Sequence, residues 1–297
     1  MYFGLELTNI RRVNPYVRLM RLDRPVGSLL LLWPTLAALW IASNGLPDPW
    51  LIVIFTLGTF LMRSAGCVIN DYADRKVDQA VARTKDRPLA TGELSALQAM
   101  QLFASLIVAS AVLLIFLNQY TQRLAVGGLL VAMLYPFLKR WTYLPQVALG
   151  AAFSWGILMA WSATGEGLTS QGILMFLASL LWVVAYDTLY AMVDREDDIK
   201  AGIKSTAILF GTLDRLMIGV LHVASLWAFL LLGLQLEYAN FYYVGLLATA
   251  GLFIHQHWII RDRDRDACFK AFLNNTWVGL ALFLGTLAEI SLRPFFG

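Results

Sequence analysis

The chain has 297 residues, of which 59% are hydrophobic and 14% are charged, and its formal net charge is +3 at pH 7. Soluble domains carry about 25% charged residues, so this composition excludes an ordinary soluble globular protein. A membrane core of about 30 Å needs roughly 20 apolar residues per helix, and the chain supplies that length many times over. The two cysteines form no CxxC motif, which argues against a disulfide framework or a zinc site. We therefore predict a membrane protein that crosses the bilayer repeatedly.

The first 25 residues form a basic, amphipathic arm that lacks the apolar stretch and cleavage site of a signal peptide. We interpret residues 1–25 as a cytoplasmic arm and residues 26–297 as a single transmembrane domain. The apolar runs are long and do not alternate in polarity, so they predict helices and not the strands of a membrane barrel. Nine such segments follow in chain order, at residues 26–43, 50–68, 98–117, 124–138, 144–162, 171–190, 214–233, 240–258 and 275–292.

The basic residues predict the orientation of these segments. Of the 23 Lys and Arg residues, all except Arg123 and Arg293 fall on one side of a nine-helix arrangement. Because cytoplasmic loops of membrane proteins are enriched in Lys and Arg, that side is predicted to be cytoplasmic. The N-terminus then lies in the cytoplasm and the C-terminus in the periplasm, as an odd number of spans requires.

Two acidic clusters stand out on the predicted cytoplasmic side. "NDYADRKVDQ" at 70–79 follows the second segment, and "DREDD" at 194–198 follows the sixth. Asn70, Asp74 and Asp78 are spaced by four residues, and the same spacing returns at Tyr190, Asp194 and Asp198. This similarity indicates a weak internal helical repeat.

The spacing also predicts what the clusters could bind. Residues four apart share one face of a helix, so each cluster would form a row of oxygen atoms if its helix continued. The second row would contain Asp187, Tyr190, Asp194 and either Asp198 or Asp197. Such oxygens suit Mg²⁺, which shares its remaining positions with water and substrate phosphates, and the interleaved Lys and Arg suit phosphate oxygens. A solvated loop of mixed charge is the alternative, but two matched clusters with acids at the membrane edge favour a functional site.

Three segments carry a family resemblance: "NDYADRKVDQAVARTKDRPLATG", "YPFLKRWTYLPQ" and "YDTLYAMVDREDDIKAGIKSTAILFG". They resemble the UbiA family of intramembrane prenyltransferases, from "RLDRPVGSLLLLWPT" to the C-terminus. The resemblance implies an all-α fold of nine transmembrane helices around a cavity open to the cytoplasmic side and to lipid. It also implies that Mg²⁺ and a diphosphate bind at the matching residues. These are Asn70, Asp71, Asp74 and Asp78 for NDxxDxxxD, Asp194 and Asp198 for DxxxD, and Tyr135 and Lys139 for YxxxK.

The activity implied by the resemblance is prenyl transfer in the bacterial inner membrane. A polyprenyl group would pass from polyprenyl diphosphate to the ring of 4-hydroxybenzoate, ortho to the hydroxyl, in ubiquinone biosynthesis, with release of diphosphate. No nucleic-acid partner is expected. The alternatives are a family member with another aromatic acceptor and, from another class, a cation-coupled transporter. A transporter should carry its charges near the bilayer midplane, whereas these charges cluster at one surface.

Roles within the site follow from this chemistry. We expect Lys139 to bind the diphosphate and a planar guanidinium to bind the carboxylate of the acceptor, with Arg140 preferred over Arg63. Asp71 or Asp187 would accept the phenolic proton. The alternating "RDRDRD" at 261–266 is interpreted as a solvated loop. The full set of expected substrate-binding residues is Arg63, Arg83, Lys85, Tyr135, Lys139, Arg140 and Lys204.

Overall fold

The computed structural model describes residues 13–76, 78–80, 84–165 and 167–296. These residues contain no β-strand, and nine of their helices are 18 or more residues long. They are α1 (Val26–Ser43), α2 (Pro49–Asp74), α3 (Ala96–Leu114), α4 (Gln119–Leu138), α5 (Pro145–Ala163), α6 (Ser170–Ala201), α7 (Asp214–Gln235), α8 (Asn240–Ile259) and α9 (Arg265–Phe296). The prediction of an all-helical protein is confirmed.

Eight of these helices in the described part of the chain are long and apolar enough to cross a membrane. The exception is α8, which begins with Asn240 and carries His255, Gln256 and His257 near its end. These polar side chains reduce the hydropathy of a 20-residue helix. The protein is therefore a multi-pass membrane protein by length and composition, while a ninth membrane crossing stays a prediction.

Local sequence explains where the helices begin and end. Pro49 starts α2, where its missing N–H costs nothing, and the Asp48 carboxylate accepts a hydrogen bond from Trp50 N at 2.9 Å. Ser95 caps α3 and exchanges reciprocal hydrogen bonds with Gln98 in a capping box. Helix α6 ends at Gly202, whose φ of 67° is a left-handed conformation that glycine adopts without strain.

Helix α6 lies at the centre of the bundle and packs against α1, α5, α7 and α9. Its Trp182 is fully buried, and the indole Nε1 donates a hydrogen bond to Asn275 Oδ1 of α9 at 2.8 Å. Helices α3 and α4 lie at the periphery and present large apolar side chains outward, as helices in contact with lipid do. These include Val108, Val112, Val126, Leu130, Met133 and Leu134.

Short helical segments gather at the end of the bundle that carries the acidic clusters. They lie before α1, between α2 and α3, and between α6 and α7. The segment before α1 is anchored by Leu19, which is fully buried against Ala65 and Val68 of α2 and Leu106 of α3. The segments are Pro15–Leu19, Asp78–Ala80, Pro88–Thr91, Thr206–Phe210 and Gly211–Leu213.

Candidate active site

A cavity of about 1360 Å³ runs through the bundle between α1, α2, α3, α4, α5, α6 and α9. Both acidic clusters line one end of it, and the other end is lined by Ile54, Phe55, Leu117 and Met159. Along α2, Asp74 and Ile54 are separated by about 30 Å at 1.5 Å per residue. The cavity therefore joins a charged end to an apolar end over a distance close to the thickness of a bilayer core.

Asp71 is at the centre of an ion-pair network at the charged end. Its side chain is almost fully buried, at 1% exposed. Arg21 Nη2 lies 3.0 Å from Oδ1 and 2.8 Å from Oδ2 of Asp71, and Arg87 Nη1 lies 2.9 Å from Oδ1. Arg21 takes a left-handed backbone conformation with φ of 59°, which is uncommon for a residue with a side chain. The arm before α1 thus reaches into the cavity through Arg21.

Asp78 does not continue the helix that carries Asn70 and Asp74. The expected row of three residues on one helix is wrong, because α2 ends at Asp74 and Asp78 opens the separate turn Asp78–Ala80. A continued helix would have carried Asp78 about 6 Å further along the axis than Asp74. The turn instead brings Asp78 Oδ2 within 2.9 Å of Arg87 Nη1, the atom that also contacts Asp71.

The carboxylate of Asp78 lies in an environment that disfavours its charge. Burial raises its pKa above the ordinary value of 3.8, and Arg87 opposes this rise, while Asp71 and Asp74 add to it. Arg87 therefore offsets only part of the cost that burial and the neighbouring carboxylates impose on a charged Asp78.

Asp74 pairs with the predicted lysine. Lys139 Nζ donates to Asp74 Oδ2 and forms an ion pair with it. The other oxygen, Oδ1, is buried and has no hydrogen-bond partner among the described residues. A buried acceptor without a partner is costly, so this oxygen is a strong candidate ligand for a bound cation.

The second acidic cluster lies on one unbroken helix, as expected. Asp187, Tyr190, Asp194 and Asp198 all belong to α6 and all line the cavity. Asp197 also lines it and pairs with Arg265 Nη1 at 3.4 Å, while Arg265 Nη2 lies 2.7 Å from Glu196. The interpretation of residues 261–266 as a solvated loop is therefore wrong for Arg265, which reaches the edge of the site.

The predicted substrate-binding residues fall into two groups. Arg63, Tyr135, Lys139 and Lys204 line the cavity. Lys204 ties two connections together, because its N–H donates to Lys139 O at 2.9 Å and its Nζ donates to Trp141 O at 3.2 Å.

Lys85 and Arg140 lie outside the cavity lining, and Arg83 lies outside the described residues. Lys85 is exposed, and so is Arg140, whose Nη2 donates to Ala73 O at 3.3 Å.

Arg63 is the guanidinium inside the apolar part of the site. Its guanidinium carbon lies 5.3 Å from the centre of the Phe153 ring, and a Cβ on Gly27 would come within 2.7 Å of Nε. Nε is buried without a hydrogen-bond partner in the described part of the chain. This placement reverses the order of preference between Arg63 and Arg140, because only Arg63 faces the cavity.

The residues present fit a magnesium site. Mg²⁺ binds through one or two carboxylates and completes its shell with water and substrate phosphates, so it needs no closed cage of protein ligands. No three Asp, Glu, His or Cys side chains of the described ranges converge into a preformed metal cluster. Asn70, Asp74, Asp78, Asp194 and Asp198 nevertheless present oxygens to one end of one cavity, and Asp74 Oδ1 is unpaired there.

The sequence did not predict five arginines that line the cavity, of which three pair with acids of the two clusters: Arg21, Arg87 and Arg265. Arg87 stands in the quoted motif segment and Arg21 in "RLDRP", so both were counted for orientation but were not assigned a role. Their partners lie in other parts of the chain, and no local pattern indicates which basic residue of a loop folds inward. The positive φ of Arg21 is visible only in the structure.

Comparison with known proteins places this geometry in a family. Residues 31–284 match the UbiA prenyltransferase family, and the chain belongs to it. Relatives named 4-hydroxybenzoate octaprenyltransferase cover nearly the whole chain. The protein from Tolumonas auensis is 57% identical over 92% of this chain and 96% of its own length. That from Pseudomonas aeruginosa strain UCBPP-PA14 is 55% identical over 96% and 97%, and that from Pseudomonas syringae pv. syringae is 52% identical over 99% and 100%.

Solved structures of more distant proteins share the fold. The apo structure of a UbiA homolog from Aeropyrum pernix K1 superposes with a TM-score of 0.78 at 22% identity, covering 88% of this chain and 97% of that one. A UbiA homolog from Archaeoglobus fulgidus bound to GPP and Mg²⁺ gives 0.70 at 19% identity, with 93% and 100% covered. At this level of identity the similarity establishes the fold alone.

Proposed function

We propose that this protein transfers a polyprenyl group from polyprenyl diphosphate to the ring of 4-hydroxybenzoate, ortho to the hydroxyl, and releases diphosphate. The observation that carries the proposal is one continuous cavity with acidic and basic side chains at one end and apolar side chains at the other. A prenyl diphosphate has the same division between a charged head and an apolar tail. The names of relatives more than 50% identical over nearly the full chain support the choice of acceptor.

The orientation that we propose has nine membrane crossings, the N-terminus and the charged end of the cavity in the cytoplasm, and the C-terminus in the periplasm. The distribution of Lys and Arg supports it. Both acidic clusters follow helices that run in the same direction, since α2 and α6 are separated by an odd number of long helices. Residues 26–297 then act as one catalytic domain, to which the arm at 1–25 contributes Arg21.

The diphosphate is bound at the charged end. Asn70, Asp74, Asp78, Asp194 and Asp198 are the residues that would hold Mg²⁺ together with diphosphate oxygens. When bound, the metal neutralises negative charge on the leaving diphosphate. Lys139 and Lys204 supply positive charge from the protein itself, and Arg21 and Arg87 supply guanidinium groups that match phosphate geometry.

Breaking the allylic carbon–oxygen bond leaves negative charge on diphosphate and positive charge on the prenyl carbon. Preorganised cations at the charged end stabilise the former, which is commonly the largest contribution to such catalysis. Aromatic rings below the acidic clusters stabilise the latter through their π-faces and keep water away. Tyr190 and Phe272 pack with ring centres 4.8 Å apart, and both line the cavity with Phe269 and Phe153.

The acceptor occupies the region next to Arg63. On α2 this residue lies about 12 Å deeper than Asp71, and on α6 Asp187 lies about 10 Å deeper than Asp194. Arg63 and Asp187 are thus at similar depth below the two clusters. We assign the acceptor carboxylate to the Arg63 guanidinium. Asp187 is the better acceptor for the phenolic proton, because it lies at the depth of Arg63, whereas Asp71 lies about 12 Å nearer the charged end.

The experiment that tests the proposal uses the purified protein in detergent with Mg²⁺. It is incubated with a prenyl diphosphate and a panel of aromatic acids, and products are analysed by mass spectrometry while diphosphate release is measured. We expect a product whose mass is the sum of the prenyl group and 4-hydroxybenzoate minus one hydrogen, with equal diphosphate release. Prenylation of another acid in preference to 4-hydroxybenzoate would refute the acceptor, and absence of any product would refute the activity.

A further inference from the structure

A second ion-pair network lies behind the acidic cluster of α6, outside the cavity lining. Asp214, the first residue of α7, is fully buried. Its carboxylate accepts from Arg195 Nη2, from Arg263 Nε at 2.9 Å and from the backbone N–H of Arg215 at 2.6 Å. Arg195 directly follows Asp194 on α6, so the network touches the residue next to a proposed metal ligand.

The connection between α8 and α9 completes this network. Arg263 takes a left-handed conformation with φ of 56°, and its Nη2 donates to Thr212 O at 2.8 Å. Two residues later Arg265 pairs with Glu196 and Asp197. The end of α6 is therefore held by two separate sets of ion pairs, one through its own Arg195 to the buried Asp214 and one from Arg265 at the edge of the cavity. Arg261 and Asp262 of the same connection pair with each other at 3.1 Å on the exposed surface.

We propose that Asp214, with Arg195 and Arg263, is a positioning clamp that sets the rotation of α6 so that Asp194 and Asp198 face the cavity. Successive residues of a helix point about 100° apart, so fixing Arg195 on Asp214 fixes the direction of Asp194. Asp198 is four residues further and shares that face. The proposal rests on the proposed function, in which these two carboxylates hold a divalent cation.

The chemistry of the clamp is suited to this task. A carboxylate removed from water keeps its charge only when several donors surround it, and Asp214 has three. Such an arrangement resists rotation of α6, because a rotation would remove one of the donors of a buried charge. Groups that orient metal ligands from behind typically change metal affinity by about 10- to 100-fold when they are mutated.

The test measures divalent cation binding directly, with Mn²⁺ as the probe. The full-length protein in detergent is titrated with Mn²⁺, and free Mn²⁺ is followed by its EPR signal. For Asp214→Asn we expect the dissociation constant to rise by about tenfold or more. The Mg²⁺ concentration for half-maximal turnover should rise in parallel, with KM for the aromatic acceptor within about twofold of the wild-type value. Asp214→Glu, which keeps the charge, should restore most of the affinity.

The matched control is Asp262→Asn, which removes an acid from the same connection but not from the clamp, and it should bind Mn²⁺ as the wild type does. Unchanged Mn²⁺ affinity in folded Asp214→Asn, with or without lower turnover, would overturn the proposal. If Asp214→Asn does not fold, the Mn²⁺ titration is carried out on Arg263→Gln instead. The Arg263 side chain is 38% exposed, so the protein tolerates its loss better. Weaker Mn²⁺ binding then supports the clamp, and wild-type binding overturns it. If the wild-type protein showed no prenyl transfer, the proposed function would be refuted, but the Mn²⁺ titration would still test the clamp.

Discussion

The two acidic clusters share their spacing in sequence, yet the structure builds them differently. In the first, α2 ends at Asp74 and a separate turn carries Asp78. The chain therefore folds back, and the carboxylates of Asp71 and Asp78 both pair with the guanidinium of Arg87. In the second, α6 continues to Ala201, its own Arg195 pairs with the buried Asp214, and Arg265 of α9 pairs with Asp197. The first cluster is thus neutralised by bases at the cavity, and the second is positioned from behind.

The difference indicates that the two clusters contribute different groups to a single site. Basic side chains that already pair with Asp71, Asp74 and Asp78 can transfer to an arriving diphosphate, because phosphate oxygens offer them equivalent acceptors. The second cluster contributes carboxylates of fixed direction. We expect changes in the first cluster to affect both the metal and the use of the prenyl donor, and changes around the second cluster to affect the metal.

The largest expected effect concerns the compartment that the two acidic clusters face. A topology reporter fused after Gly92 or after Gly202 should read cytoplasmic, and one fused after Leu168 should read periplasmic, because Lys and Arg collect on the cytoplasmic side. Activity of a pair of compartment-specific reporters measures this as an all-or-none result. The same location for the Leu168 and Gly202 fusions would contradict the proposed orientation, and different locations for the Gly92 and Gly202 fusions would place the two clusters in different compartments.

Removing one carboxylate from each cluster comes next. Asp74→Ala and Asp194→Ala should each lower turnover by more than about 100-fold, because each removes a proposed ligand of the Mg²⁺ that would stabilise the leaving diphosphate. Both variants should insert into the membrane and purify as the wild type does, with Asp262→Ala as the control. Turnover near the wild-type value in both, with the same Mg²⁺ dependence, would exclude these residues from the site.

Lys139 distinguishes donor binding from acceptor binding. Lys139→Ala should lower kcat/KM for the prenyl diphosphate by about 10- to 100-fold, the change expected for losing a charged hydrogen bond of roughly 1.5–3 kcal/mol. The value for 4-hydroxybenzoate at saturating donor should change less. Steady-state kinetics with each substrate varied in turn provides the measurement, and a larger loss for the acceptor would reverse the assignment.

Arg63 and Arg140 form a matched pair for the acceptor. Arg63→Gln should lower kcat/KM for 4-hydroxybenzoate by about 10-fold or more, because its guanidinium faces the cavity. Arg140→Gln should change this value by less than about threefold, because that side chain is exposed and donates to Ala73 O. The opposite ranking would return the carboxylate to Arg140.

The smallest expected effect concerns the burial of Asp78 and the repulsion from its acidic neighbours in the first cluster. Because the pKa of Asp78 is raised, its ionised form is disfavoured in the folded protein, and the stability this group contributes when protonated is lost as pH rises through that pKa. Asp78→Asn removes the penalty at neutral pH. With a chelator present, its Tm at pH 7 should exceed that of the wild type by no more than about 2–4 °C. The difference in Tm between Asp78→Asn and the wild type should shrink as pH falls toward 4. A lower Tm for Asp78→Asn at pH 7 would show that the ion pair with Arg87 stabilises the protein more than burial and repulsion destabilise it.

The predicted helices and their order agree well with the structure. Apolar length and capping residues are local signals, and they place α1 at residues 26–43 in both. The end of α2 was predicted at residue 68 and lies at Asp74, because polar residues can continue a helix beyond its apolar part where they face a cavity. The roles of Arg21 and Arg265 were not predictable, since each pairs with an acid far away in sequence.

The sequence by itself determined the class of the protein and the residues that carry the family motifs, and it predicted the side of the membrane on which both acidic clusters lie. These properties depend on composition, helical period and the distribution of charge, all of which are local. Only the tertiary structure decided that Asp78 turns back to Arg87, that Arg63 and not Arg140 faces the cavity, and that Asp214 is buried behind α6. The physical reason is that an ion pair depends on which side chains the packed helices bring within about 4 Å, and helical period says nothing about contacts between helices.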